Sequence, residues 1–67
     1  MTVYLREWRE FLNMTQPELG GACDPPLASQ RIGDLENHRG SPTVATLERL
    51  ADALDIPVTD LFRSPGS

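Results

Sequence analysis

The chain has 67 residues, a formal net charge of −4, one cysteine, one histidine and 39% hydrophobic residues. A chain this short buries only about 60% of its unfolded surface and supports one thin core, so one small domain without a deep catalytic pocket is expected. One cysteine forms no internal disulfide, and with one histidine it cannot supply three or four soft metal ligands, so neither a metal nor any other cofactor is expected.

The apolar runs are only a few residues long, and no basic leader with an apolar segment opens the sequence. The expectation is a cytoplasmic protein without a membrane segment. All six basic residues are arginines, against ten carboxylates. The broad positive field of many nucleic-acid binders is missing, so DNA binding would require local geometry to place a few arginines well.

In chain order, Leu5, Trp8 and Leu12 recur at spacings of three and four between Met1 and Asn13. Tyr4 and Phe11 widen that stripe, and Arg6, Glu7 and Glu10 take other faces, so the segment reads as an amphipathic helix with Trp8 in the core. Thr15-Gln16-Pro17-Glu18 supplies a capping hydroxyl, a first-turn proline and a glutamate that reaches back, which starts a second helix near Gln16. Gly20 and Gly21 each weaken that helix by roughly 1 kcal/mol relative to alanine, and Asp24-Pro25-Pro26 ends it after about two turns. Cys23 reads as a small core residue.

From Leu27 onward, Ala28, Ile32 and Leu35 repeat at helical spacing while Ser29, Gln30, Gly33 and Asp34 share the other side, predicting a third helix with a small polar face. Asn37 to Pro42 reads as a loop with His38 on its surface. Thr43 caps a fourth helix whose inward stripe is Val44, Leu47, Leu50, Ala51 and Leu54. Asp55-Ile56-Pro57 ends it before a short fifth helix with Val58, Leu61 and Phe62. The domain spans 1–63, and 64–67 is expected to be a disordered tail. Nothing alternates as a strand does, so the fold class is all-α.

Five stretches stand in a specific order: Leu5 to Glu10, Met14 to Leu19, Ile32 to Asn37, Ser41 to Leu54, and Asp60-Leu61-Phe62. In that register the chain resembles the phage-repressor and Cro-like helix-turn-helix family, also called the XRE family, from Leu5 to Phe62. The resemblance implies a compact five-helix, lambda-repressor-like domain. It also implies a sequence-specific transcriptional regulator of the repressor kind that binds double-stranded DNA as a homodimer.

By the same resemblance, Ala28, Ser29, Gln30 and Asp34 are the base-reading positions, with Arg31 at their flank. Gln30 suits the N6 and N7 edge of adenine, and Ser29 accepts from or donates to several bases. Gln16 would touch a phosphate at the start of the second helix, and Asn37 and Arg39 the backbone beyond the third. Arg9 and Glu36 would form a structural ion pair. Apart from the resemblance, the apolar residues Ile56, Val58, Leu61 and Phe62 of the last element either form the dimer surface or close the core.

The chain departs from the family in several places. The turn between helices two and three is two residues longer than usual, with Pro25-Pro26 the natural place for the excess. Asp34 puts a carboxylate toward the groove, and His38 stands where a glycine usually follows the asparagine. The alternative function is a protein-binding adaptor or antitoxin-like module on the same fold. Carboxylate pairs such as Glu7 with Glu10 and Asp52 with Asp55 lack a nucleophile or an oxyanion device, so no enzyme is expected.

Overall fold

The structure, a computed structural model, describes residues 3–66. Four α-helices follow one another: α1 (Leu5–Phe11), α2 (Gln16–Ala22), α3 (Ser29–Glu36) and α4 (Val44–Leu54). The fifth expected helix is a 3-10 helix over Val58–Phe62. Pro57 caps it and its N–H bonds reach back three residues, from Asp60 to Pro57 and from Arg63 to Asp60, so no α-turn closes. No strand occurs among the described residues. Met1 and Thr2 of the expected first helix, and Ser67 of the expected tail, lie outside the described residues.

The helix starts follow the sequence chemistry. Thr15 Oγ1 accepts from Glu18 N–H at 3.2 Å while the Glu18 carboxylate accepts from Thr15 N–H at 2.8 Å, a complete capping box. These hydrogen bonds hold the Glu18 carboxyl below the usual carboxylate range. Thr43 caps α4 through Thr46 N–H. Helix α3 begins two residues later than the periodicity suggests, because Leu27 N–H is committed backwards to the Gly20 carbonyl at 2.9 Å and Ala28 becomes the cap.

Three helices end on a left-handed residue other than glycine: Asn13 after α1, His38 after α3 and Asp55 after α4, with φ of 57°, 59° and 58°. In each case the next N–H returns to the carbonyl five residues earlier, from Met14 to Arg9, Arg39 to Asp34 and Ile56 to Ala51. This is the Schellman closure of a helix end. After α3 the loop uses both devices, His38 at the cap and Gly40 (φ 77°) two residues on.

Each element contributes one fully enclosed side chain: Leu5, Leu19, Ile32, Leu50 and Leu61. Cys23, Leu35, Ala51 and Leu54 complete the core. Helix α2 packs on α3 and α4, α1 on α3, and α4 carries the 3-10 helix. The N-terminal strand of chain is tied to that element by Tyr4 N–H donating to the Leu61 carbonyl at 2.8 Å.

Three expected core positions lie outside it. Phe11 is 61% exposed, Leu12 39% and Val44 69%. All three sit at helix ends, where α1 turns off into its left-handed cap and α4 starts beyond the reach of its neighbours. Trp8 is half-buried: its indole N–H donates to the Asp60 and Arg63 carbonyls, each at 2.9 Å, and Phe11 meets its ring edge-on at 5.9 Å.

Candidate nucleic-acid interface

Helix α3 divides cleanly around its axis. Ile32, Leu35 and Glu36 are buried, while Ala28, Ser29 and Gln30 are exposed at its first turn and Asp34 is half-buried one turn on. The apolar face fixes the helix against α1 and α2, which leaves the polar face outward with short side chains at its leading end.

At the other end of α3, the Glu36 carboxylate is enclosed and accepts four hydrogen bonds. Arg9 Nε donates to Oε2 at 2.6 Å, and Arg9 Nη2, Arg6 Nε and Gln16 Nε2 donate to Oε1 at 3.3, 3.4 and 3.1 Å. Burial by itself raises the affinity of this carboxyl for a proton. The hydrogen bonds from Arg9, Gln16 and Arg6 and the charge of Arg9 outweigh it, and Glu36 is held below the usual carboxylate range. Arg9 Nη1 also donates to the Met14 carbonyl at 2.7 Å, so one guanidinium joins α1, the α1–α2 turn and α3.

The expected phosphate contacts are partly engaged within the protein. Gln16 is half-buried with an amide N–H on Glu36. At the start of α2, Pro17 has no N–H and that of Glu18 belongs to Thr15, so of the first three helical positions only Gln16 keeps a backbone donor. The Asn37 amide donates to the Gly33 carbonyl at 3.0 Å, which closes the end of α3. Gly33 faces Gln16: a Cβ there would stand 3.4 Å from the Gln16 amide nitrogen, so the glycine makes room for the bond to Glu36.

Four of the six arginines are similarly committed. Arg6 and Arg9 neutralise Glu36, Arg63 pairs with Asp60 at 3.5 Å, and Arg49 donates to the Pro25 carbonyl. Arg39, with its side chain 76% exposed, comes within 4.0 Å of the Asp34 carboxylate. Arg31 has neither an ion pair nor a hydrogen bond among the described residues, and its guanidinium lies beside Gly40. Arg31 and Arg39 are therefore the two cations flanking the polar face of α3.

A helix-turn-helix family model matches residues 5–61, which runs from the start of α1 to within the 3-10 helix. The chain belongs to the XRE-type helix-turn-helix family. This is a family of DNA-binding regulators. No curated protein and no solved structure matches the chain. Within the helix-turn-helix, α2 and α3 are the paired helices, joined by the turn Cys23–Ala28.

That turn is long but tightly folded. Its Leu27 backbone lies so close over α2 that any Cβ on Gly20 would collide with the Leu27 carbonyl oxygen and lie 3.2 Å from its carbon. Gly20 is thus required by a close approach between two backbones, a role that its reading as a weak helix residue missed. Its neighbour Gly21 faces open space. Cys23 is buried with its thiol on the Leu19 carbonyl at 3.4 Å, and burial pushes the thiol's pKa up, as suits an inert core residue.

The expected dimer surface needs one correction. Leu61 is fully buried and fills the space between α4 and the chain entering α1, so it cannot face a partner. Ile56 and Val58 pack partly on the core, and Phe62 is half-buried. Among the described residues no helix is long and apolar enough to cross a membrane.

Proposed function

We propose that this protein is a sequence-specific transcriptional repressor that inserts the first turn of α3 into the major groove of duplex DNA. The observation that carries this reading is the exposed first turn of α3, Ser29 and Gln30, on a helix whose other face and C-terminal end are locked into the core. Gln30 reads an adenine edge, Ser29 and Ala28 contact the neighbouring base pairs, and Asp34 accepts from a cytosine amine one turn further along. Arg31 and Arg39 hold the flanking phosphates, with Gln16 and Asn37 contributing the donors left over from their internal bonds.

Two flanking arginines give one domain little affinity. A homodimer would double them and span half-sites about 34 Å apart, with Ile56, Val58 and Phe62 as the apolar part of its surface. With so few cations, the salt dependence should be shallow, a log–log slope on the order of −4 for the dimer.

The test is selection of bound duplex fragments from genomic DNA, followed by fluorescence anisotropy on the best fragment and a scrambled control at about 50 and 200 mM salt. A preference of about a thousandfold or more for the selected fragment supports the repressor reading. Gln30→Ala should then weaken that fragment by about tenfold or more with little change on the control.

Equal binding of every duplex would overturn it in favour of a second reading, a protein-binding adaptor. That reading is favoured by the Asp34 carboxylate, which stands on the outward face of α3 and holds Arg39 back.

A further inference from the structure

The leading end of α3 has no local means of fixing itself. Helices α2 and α4 are capped by threonine hydroxyls, whereas Ala28 at the cap of α3 offers no side-chain acceptor. Ser29 and Gln30 are therefore set by the packing of Ile32 behind them and by the turn that precedes them. Beyond Cys23, that turn is held by Leu27 N–H on the Gly20 carbonyl and by the Arg49 guanidinium on the Pro25 carbonyl. Arg49 belongs to α4, outside the helix-turn-helix pair, and its Nε is buried with no hydrogen-bond partner among the described residues. A guanidinium kept there with one unsatisfied donor is held for the contact its other nitrogen makes.

We propose that Arg49 is a positioning residue for DNA reading: by clasping the Pro25 carbonyl it sets the height and tilt at which Ser29 and Gln30 are presented. The proposal rests on α3 being the groove reader. Arg49 touches no base, and its effect passes through the backbone from Pro25 to Ala28. Its removal therefore lowers discrimination between sequences more than it lowers general attraction to phosphates.

The experiment compares wild type, Arg49→Met and Arg49→Lys on the selected and scrambled duplexes, with amide hydrogen exchange of the free proteins. Arg49→Met should keep its helical circular dichroism, exchange faster than wild type at Leu27 and Ile32, whose N–H groups bond to Gly20 and Ala28, and keep wild-type exchange at Asn37 to Arg39. Its preference for the selected duplex should fall about tenfold or more, as for a lost base contact, with affinity for the control within about threefold. Arg49→Lys keeps the charge but not the planar fork, and should fall between the two.

An unchanged preference in Arg49→Met, or an equal loss on both duplexes, overturns the proposal while leaving the repressor reading intact. Wild type without any preference overturns that reading and this proposal together. Should Arg49→Met fail to fold, Arg49→Lys decides: a wild-type preference there overturns the proposal.

Discussion

The two ends of α3 are fastened by opposite means. At its C-terminal end, side chains do the work: an enclosed Glu36 gathers Arg6, Arg9 and Gln16 from α1 and α2, and the Asn37 amide closes the last turn. At its N-terminal end, what is held is backbone: Leu27 lies against Gly20, Ala28 caps without a side-chain bond, and the Arg49 side chain grips the Pro25 carbonyl. The difference follows from what each end must leave free. On the proposed function, the leading end of α3 must keep its polar side chains free for bases, which fits support from beneath and behind.

The C-terminal fastening carries the larger energy. Glu36→Ala strands the Arg9 guanidinium, whose side chain is only 13% exposed, and should cost about 3–5 kcal/mol. A domain of this length holds only a few kcal/mol in total, so the variant should be largely unfolded by circular dichroism at room temperature.

The same group governs acid sensitivity. Glu36 binds its proton more weakly when folded than when unfolded, so its contribution is complete above the ordinary carboxyl pKa of about 4.3 and drains away as pH falls through the folded-state value. Urea midpoints measured from about pH 7 down to about pH 3 should therefore fall on the acid side, and Glu36→Gln should flatten that limb.

Breaking the N-terminal fastening should cost less. Gly20→Ala forces the Leu27 backbone away from α2, an overpacking expected to cost about 1–3 kcal/mol by denaturant unfolding. It should also erode the duplex preference in the variant that remains folded. An effect confined to stability would show that the turn does not control the reading end.

Between the two ends, Asp34 and Arg39 offer a milder probe. Asp34→Asn frees an exposed arginine and removes a negative charge, so affinity for the scrambled duplex should rise a few-fold and its salt slope steepen by about one. Stability should stay within about 0.5 kcal/mol, since the pair is exposed. The smallest change is Gly21→Ala, which meets open space and should add about 0.5–1 kcal/mol through helix propensity. Adjacent glycines with opposite responses would separate the backbone contact from propensity.

Much of this was legible from residue order. The threonine caps, the prolines that end α2 and the spacing of Leu5, Leu19, Ile32, Leu50 and Leu61 rest on interactions within a few residues, or on periodicity that any neighbour satisfies. The register of the five stretches also pointed to the helix-turn-helix family and its DNA-binding role. The fifth helix was overread because Pro57 and five residues sustain only i to i+3 bonds. In residue order Leu61 fits either a dimer surface or the core, because an apolar residue looks the same whether it closes a core or faces a partner; its burial decides for the core.

Residue order alone thus specifies the all-helical class, the helix order, the caps and the family. Only the tertiary structure decided that Gly20 is needed where Gly21 is spare, that Gln16 and Asn37 spend donors inside the protein, and that Arg49 holds a turn more than twenty residues away in sequence. The reason is physical. Capping and periodicity are local, whereas a close approach of two backbones or a guanidinium reaching a distant carbonyl exists only once the helices have packed.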